Sequence, residues 1–239
     1  MEYICENIFV WHGDKKNDYR TLLKERQAIQ LSHLVIPYER LVRMEQTAGD
    51  VIVNVNDAHA GAGFIDNVPE IPLADAMITN TKNLFLCVRT ADCFPILIYD
   101  KKQKAIAAVH SGREGTRLNI LGKTIQKMID EFKCQSNDLH IVIGAGITAN
   151  HYEVDKNTYH YFYKSNSEIL SQEFIDKKLN ESSYKINIPE MLSFQLEAEK
   201  IKNNQIQLIP ECTYENQNYF SFRRDKGNNR QLSVIGIIQ

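Results

Sequence analysis

Two apolar runs, "FPILIYD" at 94–100 and "AIAAVH" at 105–110, are separated by only four polar residues, "KKQK". Runs of this length and composition read as buried strands, and a polar gap of hairpin length joins them antiparallel. That pairing constrains more than local structure. It brings the head of the first strand and the end of the second to one edge of a sheet. Cys93 heads the first run and His110 ends the second, so a thiol and an imidazole are expected side by side. The following "SGREG" runs from them into a helix start, whose free N–H groups can meet an anion.

Three readings of this pair stand open on spacing alone. Thiolate and imidazole suit zinc, and a catalytic zinc site takes three protein ligands with one open position. Alternatively, His110 lowers the pKa of Cys93, which then acts as a nucleophile. In the third reading both are buried residues of a sheet, as free cysteines commonly are.

Elsewhere the chain alternates between short strands and helices without a regular repeat. "YICENIFVW", "RLVRMEQ", "DVIVNVND", "AMIT" and "LFLCV" are strand-like, and "LHIVIGAGI" is a buried strand ending in a glycine turn. Helical spacing runs through "YRTLLKERQAIQLSHL", where Leu22, Leu23, Ile29 and Leu34 can share a face. The clearest helix is "EGTRLNILGKTIQKMIDEFKC", with Gly115 and Thr116 at the expected N-cap. From about 155 to 202 the chain is mostly helical, broken by a strand-like "YKINI", with Pro189 opening the next helix. "QIQLI" and "YFSF" are the last strands before "RRDKGNNRQ" and the apolar tail "LSVIGII". This order predicts an α+β fold, a mixed β-sheet with flanking helices, in one domain over residues 1–239.

The balance of 28 basic against 30 acidic side chains gives a net charge of −2, so nucleic acid and anionic membranes are not expected partners. Five cysteines at irregular spacing include no CxxC pair and fit a reducing compartment. Neither a signal peptide nor a run long enough to span a bilayer is evident, and a cytoplasmic location is expected.

The motifs "TADCFPILIYD", "AAVHSGREGT", "GAGITANHYEVD" and "CTYENQNYFSFRRD", in this order, resemble the laccase-domain family, also known as the peptidoglycan editing factor or purine nucleoside phosphorylase family. "ADAMIT" at 74–79 resembles the segment that precedes the cysteine strand in that family. The resemblance covers the chain from about residue 40 onward. It implies a fold similar to the cytotoxic necrotizing factor type of cysteine hydrolase. It also implies phosphorolysis of purine nucleosides such as adenosine or inosine, with a companion adenosine deaminase activity. The cofactor it implies is zinc held by His, Cys and His, and the substrates are a purine nucleoside and phosphate. Cys93 matches the cysteine and His110 the second histidine.

The first histidine has no counterpart. The family's Gln-Val-His-Gly is "QTAGD" here, with Gln46 and Gly49 matching and Ala48 at the histidine position. The family's Trp-Arg between two glycines is Arg113-Glu114, and its later Gly-Pro is Gly144-Ala145. By residue type, His12, His59 and His151 are candidates for the third ligand. The alternatives are weak or absent zinc with a metal-free Cys–His hydrolase or amidase of the peptidoglycan-precursor editing type, or a non-catalytic member. A multicopper oxidase is the least favoured reading, because seven scattered histidines contain no HxH pair.

Arg113, Arg223, Arg224 and Gln46 are the remaining candidates for substrate or phosphate binding. Adjacent arginines on an extended segment point to opposite faces, so at most one of Arg223 and Arg224 is expected in a site. Glu114 is a possible acid or base or a salt-bridged helix start. Asp92 can orient a neighbour, and Tyr152 and Glu153 can line a pocket. The oligomeric state is left open.

Overall fold

A computed structural model describes residues 2–5, 7–16, 28–31 and 33–238, with side chains from residue 7 onward. In chain order the first strands are β1 (Glu2–Cys5), β2 (Ile8–His12), β3 (Ala28–Leu31), β4 (Leu34–Pro37), β5 (Leu41–Arg43), β6 (Ile52–Asn54) and β7 (Ala76–Thr79). They are followed by β8 (Phe85–Thr90), β9 (Phe94–Asp100), β10 (Ala105–Ser111), β11 (Leu139–Ile143), β12 (Ile206–Leu208) and β13 (Gln231–Ile237). The helices are α1 (Arg113–Arg117), α2 (Ile120–Phe132), α3 (Lys156–Lys164), α4 (Gln172–Leu179), α5 (Ile188–Ala198) and α6 (Phe222–Asp225).

The fold is α+β, built on two mixed sheets. One has the order β1-β2-β13-β8-β5 and the other β12-β11-β9-β10-β7-β6, while β3 and β4 pair separately. The predicted hairpin is present as β9 and β10, with Pro95 opposite His110 and Phe94 opposite Ser111. Parallel pairs occur where β5 meets β8, β6 meets β7 and β12 meets β11.

Side-chain alternation along these strands sets four layers. Ile106, Ala108 and Leu97 of the second sheet face Val88, Leu86 and Ile235 of the first, forming a core between the sheets. Ala107, Val109 and Ile96 point the other way, against Leu121, Ile125 and Met128 of α2, Tyr159 of α3 and Met191 of α5. The outer face of the first sheet carries Phe9, Phe85 and Val234 and is covered by Ile29, Leu31 and Ile36 of the β3–β4 hairpin. Both faces of the second sheet are therefore buried, which explains why β9 and β10 read as continuous apolar runs.

Four local expectations are corrected. The helix expected at 19–34 gives way to β3 and β4 over its described part, and residues 17–27 lie outside the described residues. There, buried Ile29 and Leu31 flank exposed Gln30, and exposed Val35 precedes buried Ile36, a period of two that favours strand. The long helix is interrupted. Gly112, not Gly115 or Thr116, caps α1, and Asn119 in the left-handed conformation (φ 58°) caps α2 by accepting the Gly122 N–H. Asn suits both the left-handed backbone and the cap. "YKINI" forms only a single bridge, Lys185 to Glu153. "YFSF" is not a strand: Ser221 accepts the Arg224 N–H and starts the short α6.

Candidate active site

The reactive pair sits where the sheet register demands. Cys93 lies in the turn between β8 and β9, and His110 is the penultimate residue of β10. His110 is 8% exposed, and its ring hydrogen-bonds the Cys93 thiol. A Cβ at Gly112 would stand 3.0 Å from Cys93 Sγ and 3.8 Å from His110 Nε2, so this glycine leaves space where both reactive atoms converge.

The other ring nitrogen is held by a residue that sequence reasoning missed. Asp75 Oδ1 lies 2.7 Å from His110 Nδ1, and the Asp75 side chain is fully buried at the head of β7, the strand paired with β10. Its only sequence signal is an acid opening an apolar strand in "ADAMIT". The Asp75 carboxylate also accepts the N–H groups of Ala48 at 3.1 Å and Gly49 at 2.6 Å. Burial alone raises its pKa, but the bonds from His110 and these two amides outweigh burial and hold it below the usual carboxylate value. For His110, burial favours the neutral ring. The Cys93 sulfur and the Asp75 carboxylate outweigh that, and its pKa is pushed up to about 9.

Two cavities flank this line. The first, about 430 Å³, is polar, with Glu45, Arg89, Asn228 and Arg230 in its wall. The second, about 350 Å³, carries Arg113, Arg223 and Lys226 together with Tyr152. Cys93 and Phe222 belong to the walls of both. Arg113 Nε is buried with no hydrogen-bond partner among the described residues, and the Arg113 side chain hydrogen-bonds Tyr152. Tyr152 has a pKa raised chiefly by burial and stays a neutral phenol.

Asp92 ties the cysteine turn to α6. It sits at φ 87°, and its carboxylate accepts the Thr213 hydroxyl at 2.7 Å and the Arg223 N–H at 2.6 Å. The Arg223 side chain then crosses the Tyr152 ring at 5.2 Å and donates to the Glu153 carbonyl at 2.8 Å. Arg224 turns the other way. Its guanidinium donates to the carbonyls of Thr213 (2.7 Å), Tyr214 (2.9 Å) and Tyr219 (2.7 Å) and pairs with Asp225, so it pins the 213–225 loop. The two arginines diverge because α6 is helical, not because the segment is extended.

Gln46 is also engaged with backbone. Its amide donates to the Arg89 carbonyl at 2.7 Å and accepts the Arg89 N–H at 2.9 Å, mimicking a strand partner on β8. Glu114 pairs with Arg117 at 2.8 Å and lies 3.6 Å from Arg113, as a salt-bridged helix start does.

The donors present do not fit a three-ligand zinc site. Ala48 has no donor side chain, and among the described residues no group of three His, Cys, Asp or Glu side chains is placed to hold a metal. His12 hydrogen-bonds Ser233 at 2.7 Å against Gly144, and burial lowers its pKa to about 3. His59 caps a turn beside Asn56, and His151 pairs with Glu215 at 2.6 Å and stacks on Tyr214. The Asp75 carboxylate is already committed to His110 Nδ1.

Residues 10–238 match the family described as multi-copper polyphenol oxidoreductase laccase. A purine nucleoside phosphorylase of Bacteroides thetaiotaomicron is 31% identical over 226 residues, covering 93% of this chain and 80% of that one. A purine nucleoside phosphorylase of Clostridium acetobutylicum is 34% identical over 195 residues, covering 80% and 75%. Among solved structures, YlmD from Geobacillus stearothermophilus superimposes with a TM-score of 0.81 at 23% identity, over 98% of this chain and 93% of that chain. At that identity the likeness speaks for the fold alone.

Proposed function

The chain belongs to the multi-copper polyphenol oxidoreductase laccase family, and from that premise we propose that it is an enzyme that cleaves purine nucleosides with phosphate. The observation that carries this reading is the cationic cavity at Cys93, with Arg113, Arg223 and Lys226 in its wall, beside the cavity that His110 lines. The names of the two purine nucleoside phosphorylases support the same chemistry.

Phosphorolysis needs a neutralised attacking anion and a proton for the departing base. The cations of the second cavity bind and orient phosphate. A phosphate oxygen forms a bond to the anomeric carbon as the carbon–nitrogen glycosidic bond breaks. The electron pair of that bond goes to the purine nitrogen. The Cys93–His110 pair delivers a proton to the base, and Asp75 keeps the imidazole oriented while it does so. Incubation of adenosine or inosine with phosphate, read by chromatography, should release free base and ribose 1-phosphate. No base released, with or without added zinc, removes this reading.

A second reading is favoured by one observation, the Cys93–His110–Asp75 line. A thiol, an imidazole and a buried carboxylate in sequence are the parts of a metal-free cysteine hydrolase or amidase. This reading makes Cys93 a nucleophile whose reactivity depends on His110.

A further inference from the structure

We propose that Phe222 selects the purine, its ring serving as the stacking wall for the base at the ridge between the two cavities. The inference rests on the nucleoside reading above and names the residue that recognises the base.

Phe222 is 49% exposed and belongs to none of the three apolar clusters of the core. It is a large apolar side chain that the fold does not use for packing. Instead it lines both cavities together with Cys93. Lys226, from the second cavity, and Arg230, from the first, lie 5.8 and 5.9 Å from its ring centroid. Both cations lie over the ring at the outer reach of cation–π contact, where a stacking base can displace them more readily than it could a closely seated cation.

The backbone that presents the ring is fixed on both sides. On one side Asp92, next to Cys93 in sequence, accepts the N–H of Arg223 at 2.6 Å. On the other, Gln231 at the start of β13 accepts the N–H of Phe220 at 2.9 Å. The ring is thus held at a set position relative to the cysteine turn. The second aromatic of the cationic cavity, Tyr152, already has Arg223 across its face. Phe222 is the more exposed of the two rings, and its cations stand farther off than Arg223 does from Tyr152.

A flat heteroaromatic base suits such a ring, because stacking needs only a π-face and gains from area. A bicyclic purine covers more of it than a pyrimidine does. Lys226, which reaches over the ring from the second cavity, brings the phosphate-binding side close to the stacked base.

The test is the dissociation constant of adenosine, and of cytidine for comparison, measured calorimetrically on wild type, Phe222→Ala and Phe222→Trp. Phe222→Ala should weaken adenosine about tenfold or more, the loss of one base–aromatic stack. It should leave the affinity for inorganic phosphate unchanged. Phe222→Trp should restore adenosine binding, and the indole it adds to the single native tryptophan should be quenched by adenosine. Adenosine binding that is indifferent to Phe222→Ala, or equal affinity for cytidine, overturns the inference. Phe222-dependent adenosine binding without release of base keeps the inference and removes the phosphorolysis reading. No adenosine binding by the wild type overturns both.

Discussion

Asp75 and His110 are joined twice: the carboxylate meets ring Nδ1 at 2.7 Å, and the Asp75 carbonyl accepts the His110 N–H at 2.8 Å. One contact fixes the strand register and the other fixes the ring. The ring contact leaves Nε2 for Cys93 and sets the tautomer on which any chemistry here depends.

Asp75→Asn keeps the shape but removes the charge. Activity should fall by about 1,000- to 10,000-fold, the order of loss when the buried carboxylate behind a catalytic imidazole becomes an amide and the ring takes the wrong tautomer. The KM for nucleoside should hardly move, because Asp75 is buried behind His110. A change confined to KM would contradict this role.

The ion pair makes stability depend on pH. His110 has a folded-state pKa of about 9, above its ordinary value of 6.5. Its stabilisation is therefore fully present below about pH 6.5 and is lost as pH rises through 9. The urea midpoint should fall across that window, and the fall should shrink in His110→Gln. A midpoint that stays flat up to pH 9 in the wild type would show that the ring is not held charged.

Ala48 occupies the position at which the sequence resemblance implies a metal-binding histidine, and it does so at φ 61°. Histidine enters the left-handed region more readily than alanine, so the backbone still suits the missing ligand. Metal analysis of protein expressed with zinc should find well under one equivalent in the wild type. Ala48→His should raise this toward about one per chain, the stoichiometry of a three-ligand site. A full equivalent in the wild type would mean that another donor set is at work.

The neighbouring arginines should separate cleanly. Arg224→Ala leaves the carbonyls of Thr213, Tyr214 and Tyr219 without their donor and should cost about 2–3 kcal/mol of stability. Arg223→Met should leave stability within about 1 kcal/mol. Its effect should appear instead as a raised KM for phosphate. Thermal melts and phosphate titrations of the two variants check both halves.

Alkylation of Cys93 by iodoacetamide tests the thiol reading. The rate near pH 7 should drop in His110→Ala, because the neighbouring imidazole that would take the thiol proton is gone. Equal rates in both proteins would remove Cys93 as a nucleophile.

Much of the fold could be read from local pattern. The β9–β10 hairpin, and with it the meeting of Cys93 and His110, followed from two apolar runs and a four-residue polar gap. The β3–β4 hairpin could not be read so easily. Ile29, Leu31 and Ile36 fit either a helical face or alternating strands, and packing on Phe9 and Phe85 of the first sheet decides between them. "YFSF" was misleading for a related reason: aromatic residues favour strands, but the Ser221 cap and the Asp92 bond to Arg223 turn this segment into a helix.

That a thiol and an imidazole share a sheet edge is legible in the chain alone, because register follows from strand and turn lengths. So is the lack of a metal donor at position 48, because an alanine side chain has none. It takes the folded chain to show that Asp75, 35 residues away, stands behind His110, that Gln46 and Arg224 serve the backbone, and that Arg113, Arg223 and Phe222 converge on Cys93. Such assignments depend on which partner reaches a polar group first. Partners brought together by sheet pairing and loop packing leave no periodic trace in the chain.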